Sequence, residues 1–351
     1  MIEALGPHGP LRALAAAAVL GTMMTPIGCS SSSAPITTTQ AAPVQRFVAG
    51  RERWSFQGND GWTYYTPSTT IRTTITDRQM LIRIPAFVEL SQIHARTALT
   101  ALPPAAEPVD TYFLGSRSQW ATMTKALLKD RAGVYLSIER GGFSVGTTGV
   151  YYDLGPRDSF TIAAHEGWHQ YAHSVMIDRL PVWLDEGIAC YLEGFRWDDI
   201  NPDTPRFLPW ANLERYDQLR NAHASGSLMS LHTLISNRPQ DLMATDQGGA
   251  RVLTYYAQHW ALVHFFREYQ GGRYASGLGR VLQLTLQGRL LDQMNDQDAR
   301  SMRIRRSGPG VLSIIAPGVP LRELDSQYQE FIRQIVRPGG RNAALNGDSP
   351  V

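Results

Sequence analysis

The chain has 351 residues, enough for one large domain or two small ones, and 43% of them are hydrophobic, an ordinary share for a globular protein. A formal net charge of +2 leaves no basic footprint for nucleic acid and no acidic tail. The cysteines are Cys29 and Cys190, so no intrachain disulfide is possible if Cys29 is acylated or removed.

At the N-terminus, Arg12 precedes an apolar run, Ala13 to Met24, that is short for a bilayer span. It leads to Pro26-Ile27-Gly28-Cys29 and the serines Ser30 to Ser33. Glycine before cysteine, then a serine run, resembles a bacterial lipoprotein signal. That resemblance implies a signal peptide over 1–28, a lipid on Cys29, and an exported protein anchored to the membrane of the cell envelope. Cleaved secretion is the alternative. Residues 29–46 are rich in Ser, Thr, Ala and Pro and read as a flexible tether. No later stretch is long and apolar enough for a transmembrane helix.

Residues 47–159 read as an α+β part. Thr69 to Ile75 alternates in β-branched residues and predicts a strand. A helix is expected from Asp77 through Leu99, with Pro85 as a break or a new start inside it. Thr111 to Leu114 suits a strand, and Ser116 to Leu128 a helix capped by Ser116 or Ser118. Glycines between short β-branched and aromatic runs predict a hairpin over Gly141 to Leu154.

The stretch from Thr161 to Gly194 carries the chemistry. His165, Glu166 and His169 form an H-E-x-x-H pattern within a helical run. Positions four apart lie on one helix face, so both histidines can address one ion, with Glu166 beside the metal as a general base. After a break at Arg179-Leu180-Pro181, a second helix with Pro181 in its first turn carries Glu186. A helix, a short turn and an antiparallel helix bring Glu186 to the histidines. Two histidines and one carboxylate leave a fourth position for water, the catalytic rather than the structural zinc pattern. The expected metal ligands are therefore His165, His169 and Glu186, the cofactor is Zn2+, and Glu166 is the catalytic base. His173 drifts off the metal face, and Cys190 reads as a small buried residue of the second helix. Asp185 and Glu193 are placed to accept a hydrogen bond from a ligating histidine. For Glu193 a plain surface carboxylate is an equal reading.

Residues 160–336 are expected to be mainly helical. Short helices are predicted over Leu213 to Asn221 and Leu228 to Ile235, and a long one over Ala250 to Tyr269. Two more are predicted over Gly279 to Met294 and Leu321 to Ile335. Residues 337–351 have glycines, prolines and no apolar pattern, and read as a loose tail. His94, His223, His232 and His264 have no partner motif. There is no P-loop, no dinucleotide-binding glycine pattern and no G-x-S-x-G elbow.

His165-Glu166-Gly167-Trp168-His169 followed by Leu180-Pro181-Val182-Trp183-Leu184-Asp185-Glu186-Gly187-Ile188-Ala189 resembles the gluzincin superfamily of zinc metallopeptidases. It is most similar to uncharacterised bacterial peptidase MA-like proteins. They share a later helix of the type Tyr256-Ala257-Gln258-His259-Trp260-Ala261-Leu262-Val263. The resemblance covers about Thr63 to about Arg337. It implies a zincin-like α+β fold, with a small mixed sheet whose edge strand lies next to the H-E-x-x-H helix. Val150 to Leu154 is the candidate for that edge, with an ordinary inner strand as the equal alternative. Here the stretch between the second histidine and the glutamate is slightly shorter than in the best-known peptidases, so the turn must be tight. The resemblance also implies a Tyr or His that stabilises the oxyanion. Tyr255, Tyr256 and His259 lie on the right helix, and Tyr256 is the choice.

The expected function is a zinc-dependent hydrolase of the bacterial cell envelope, a metallopeptidase acting on a peptide or protein. No nucleic acid and no small-molecule cofactor are expected. Two other readings stay open: an envelope lipoprotein with a purely structural zinc site, and a zinc hydrolase of a non-peptide amide.

Overall fold

A computed structural model describes residues 47–136, 141–243 and 248–351. The expected signal peptide, Cys29 and the tether lie outside the described residues. Six strands form one mixed sheet: β1 Gly50–Phe56, β2 Asn59–Tyr65, β3 Thr69–Thr73, β4 Val109–Leu114, β5 Phe143–Val145 and β6 Thr148–Tyr152. Their spatial order is β1-β2-β3-β4-β6-β5. β3, β4 and β6 run parallel, while β1, β2 and β3 form an antiparallel meander and β5 pairs antiparallel with β6. The expected hairpin is present. Val150 to Tyr152, however, belongs to β6, which is flanked on both sides, so the strand of this hairpin that lies at a sheet edge is β5. Val150 and Tyr151 are fully buried between their neighbours, which an edge does not require.

The helices of this part are α1 Arg78–Ala95, α2 Arg117–Leu128 and α3 Ala132–Leu136. Asp77 caps α1 by accepting from Met80 N at 2.8 Å. Pro85 lies inside α1 and does not end it. Burial of Ile84, Phe87 and Val88 around it outweighs the lost backbone bond, worth about 3 kcal/mol. α1 ends at Ala95 rather than Leu99, because the amides of Thr97 and Ala98 both turn back to the His94 carbonyl. Ser116 caps α2.

Beyond the sheet the chain is mainly helical: α4 Pro156–Val175, α5 Val182–Leu192, α6 Leu213–Ala224, α7 Leu231–Ser236, α8 Pro239–Met243, α9 Gly248–Gly272, α10 Ala275–Leu286, α11 Asp296–Arg305, α12 Leu312–Ile315, α13 Leu321–Ile335 and α14 Gly340–Asn346. A small hairpin of β7 Phe195–Trp197 and β8 Pro205–Phe207 interrupts them. The architecture is thus α+β, with an N-terminal mixed sheet and a helical C-terminal part. The helix expected over Gly279 to Met294 is α10, and it ends early, with Gly288 just beyond at φ 66°.

Residues 337–351 are not a loose tail. α14 packs on α6, Arg341 pairs with Asp217 at 3.0 Å, and Ser349 donates to Glu268 at 2.7 Å. Arg337 also donates to the Pro350 carbonyl at 2.9 Å. Polar contacts and the buried Ala344, not an apolar stripe, order the segment.

α5 is the buried axle of the helical part. Trp183, Leu184, Ile188, Ala189 and Cys190 have almost no exposed surface. Its crossing with α9 is close at Gly187, where an added Cβ would lie 3.0 Å from both the His259 carbonyl and Val263 Cγ2. Gly187→Leu is expected to push α5 off α9 and destabilise the protein by about 1–3 kcal/mol. Thermal denaturation tests this, and an unchanged melting temperature would contradict the close crossing.

Candidate metal centre

α4 buries Phe160, Ala163, Ala164, Trp168 and Tyr171 against α1, the sheet and the helical core. The half-buried face left over carries His165, Glu166 and His169. The turn into α5 is pinned rather than loose. The amides of Ile177 and Asp178 donate to the Thr285 carbonyl, and Val182 N donates to the Arg306 carbonyl at 2.7 Å. α5 then returns along α4 and presents Glu186 to the histidines.

His165 Nε2 lies 3.3 Å from Glu186 Oε2, and His169 Nε2 lies 3.7 Å from the same oxygen. Ligand atoms about 2.0–2.1 Å from a tetrahedral zinc are about 3.4 Å from one another. Both distances to Glu186 are close to that value, and the three ligand atoms all lie within 4.8 Å of one another, close enough to hold one ion. They are 14–20% exposed, which leaves the fourth corner accessible.

The opposite ring nitrogens are held by carboxylates. Glu193 Oε1 meets His165 Nδ1 at 2.8 Å. Glu193 in turn accepts two bonds from the Arg215 guanidinium, at 2.9 and 3.1 Å, and one from Asn212 Nδ2 at 2.6 Å. Asp185 Oδ1 lies 3.3 Å from His169 Nδ1 and accepts from Trp168 Nε1 at 2.8 Å. Its other oxygen accepts from Arg306 at 2.7 Å. Both imidazoles are thereby oriented with Nε2 toward Glu186. The plain-surface reading of Glu193 does not hold, because Glu193 is only 4% exposed. Arg215, Asn212 and Arg306 carry no local sequence signal and escape a reading by motif.

Among the described residues a second group, His165, Cys190 and Glu193, also clusters closely enough to hold an ion. It is the poorer site. Glu193 is already engaged by His165, Asn212 and Arg215, so its oxygens have no lone pair left to offer an ion.

Glu166 stands beside the ligands, outside both groups. Its Oε2 accepts from Ser144 Oγ at 2.9 Å, and Ser144 lies on the edge strand β5. The sheet edge and the H-E-x-x-H helix are thus tied by one hydrogen bond. The Tyr256 ring packs edge-on to His165 at 6.3 Å, with the Arg215 guanidinium 5.3 Å over its face. Burial, then the charges of Glu186 and Cys190, hold the Tyr256 pKa far above its ordinary value, so the phenol keeps its proton. Tyr255 instead donates to the Asn237 carbonyl at 3.2 Å, and His259 is fully buried against Tyr255. His173 is exposed and belongs to neither group. His94 and His264 are packed against aromatic rings, while His223 and His232 are exposed.

The cluster favours positive charge at its centre. Burial would lower the His169 pKa, but Asp185 and Glu186 raise it to about 10. His165 is raised likewise, against burial, by Cys190, Glu186 and Glu193. Despite burial, His169 and Arg306 hold Asp185 down to about 2, and Arg215 and His165 hold Glu193 at about 2. A divalent cation can replace the two imidazole protons in this field.

A family model described as protein of unknown function (DUF1570) matches residues 159–289. That span runs through α4, α5 and α9 and contains both histidines, Glu166, Glu186 and Tyr256, whereas Ser144 and Arg306 fall outside it. No curated protein matches the chain.

Glu193→Gln is expected to weaken zinc binding about 10–100-fold, because the amide no longer anchors His165 or answers Arg215. Competition with a chromophoric chelator measures this, and unchanged affinity would remove Glu193 from the site. The pKa directions also set a pH dependence for the metal-free protein. His169 contributes stability that is full below 6.5 and lost as pH rises toward 10. Glu193 contributes stability that is full above 4.5 and lost as pH falls toward 2. After chelation, melting temperature should therefore peak between these windows, and a steady rise above pH 6.5 would contradict the assignment.

Proposed function

We propose that the chain is a zinc-dependent hydrolase of gluzincin type, a metallopeptidase exported to the bacterial cell envelope. One observation carries the reading. Two imidazoles and one carboxylate converge closely enough to hold one ion, and a second carboxylate, Glu166, stands beside them on the sheet-edge side. A purely structural site has no use for that second carboxylate. Among the described residues no helix is long and apolar enough to cross a membrane.

Zinc held by His165, His169 and Glu186 would supply Lewis acidity and lower the pKa of water to about 7. Glu166 takes the proton of the attacking water and returns it to the leaving nitrogen. Ser144 holds the Glu166 carboxylate at the sheet edge by its 2.9 Å bond. Tyr256, kept protonated by burial, donates to the oxyanion that forms on the substrate carbonyl. β5 is short and open on one side, so it can align an extended substrate backbone by strand addition.

Glu166→Gln tests the reading. The variant should bind one zinc as the wild type does, as measured by elemental analysis, and lose peptide hydrolysis by about 10²–10⁴-fold. Zinc-free wild-type protein, or a fully active variant, would sink it.

A further inference from the structure

A cavity of about 660 Å3 opens beside the candidate metal centre, with Glu186 and Asp185 in its wall. Its volume is that of a small-ligand site, about 300–1,000 Å3. The rest of the wall is rich in arginine: Arg179 from the α4–α5 turn, Arg238 before α8, and Arg303, Arg305 and Arg306 from the end of α11.

The acids nearby do not balance these cations. Arg306 is committed to Asp185 and to the Leu180 carbonyl. Arg238 and Arg305 share one carboxylate, that of Asp241, at 3.1 and 3.0 Å. Arg179 and Arg303 have no acidic partner among the described residues. Of the three acids in the wall, Asp185 and Glu186 face the histidines, and Asp178 accepts from the Leu290 amide at 2.8 Å. Five guanidiniums, two of them unpaired, surround a cavity that shares a ligand with the metal centre.

The wall is also built to stay in place. Arg306 takes the left-handed conformation at the end of α11, φ 52°. Its guanidinium and carbonyl both reach the α4–α5 turn. The end of α11, which carries Arg303, is thereby tied to the turn that carries Arg179 and to the helix that carries Glu186.

We propose that this cavity binds a carboxylate of the substrate and makes the protein selective for peptides with a negative charge close to the cleaved bond. The proposal rests on the hydrolase reading given above. Arg179 and Arg303 are the specificity residues, since guanidinium pairs a carboxylate by two parallel hydrogen bonds. A cavity of this size places the carboxylate within about three residues of the bond, at about 3.5 Å per extended residue. Either the substrate C-terminus or an Asp or Glu side chain can supply it.

Fluorescence anisotropy of the full protein with three labelled probes tests this: an alanine pentapeptide acid, its C-terminal amide, and an amide with one internal glutamate. The wild type should bind at least one charged probe about tenfold or more tighter than the neutral amide. Preference for the acid alone identifies the C-terminus, and preference for the glutamate amide identifies the side chain. The double variant Arg179→Gln/Arg303→Gln should lose that preference and keep its affinity for the neutral probe. In hydrolysis assays it should raise KM for charged peptides and leave kcat unchanged. Equal wild-type binding of all three probes, or a preference that survives in the double variant, would overturn the proposal. A carboxylate preference without any peptide hydrolysis would sustain the cavity assignment and contradict the hydrolase reading instead.

Discussion

The imidazoles of His165 and His169 are gripped on one side so that they can offer the other. Glu193 holds one Nδ1 and Asp185 the other, and each carboxylate is itself held by an arginine, Arg215 or Arg306. An ionised carboxylate buried with so little exposure survives only when it is fully paired. The arrangement therefore requires parts of the chain far from the motif. α6 brings Arg215 and Asn212, and the end of α11 brings Arg306. Much of the helical part can be read as the frame that delivers these partners.

The α5–α9 crossing is the second constraint. α5 has a ligand on its partly exposed face and apolar side chains on the rest, so it is buried on nearly every side. Gly187, next to the ligand, permits the close approach that places Tyr256 of α9 against His165. From the sheet, β5 reaches Glu166 through Ser144. The candidate centre thus draws on the sheet edge, the H-E-x-x-H helix, the ligand helix and the long aromatic helix.

What was legible in the sequence was local. His165 and His169 share a face because of helical spacing. Asp77 and Ser116 cap helices by contacts to residues three ahead. Pro181 marks the start of α5. What was not legible depends on distant partners. β1 and β2 escaped because β1 is mostly exposed and shows no apolar alternation. The β7–β8 hairpin holds through Phe195 and Phe207 packing on Phe87, at 4.8 and 5.3 Å, a cluster without a sequence signature. The hairpin over residues 143–152 could be read, but which of its strands lies at the edge is decided by pairing with β4, far back in the chain. The C-terminal segment lacks an apolar pattern because its order comes from Arg341, Arg337 and Ser349. Arg215 and Arg306 look like any surface arginine until the fold places them behind a carboxylate.

Two donor groups share His165, and they differ in one element, sulfur. Zinc K-edge X-ray absorption of the purified protein separates them directly. Coordination by His165, His169 and Glu186 predicts nitrogen and oxygen scatterers only, at about 2.0–2.1 Å. A sulfur scatterer at about 2.3 Å would place the ion on Cys190 and contradict the account.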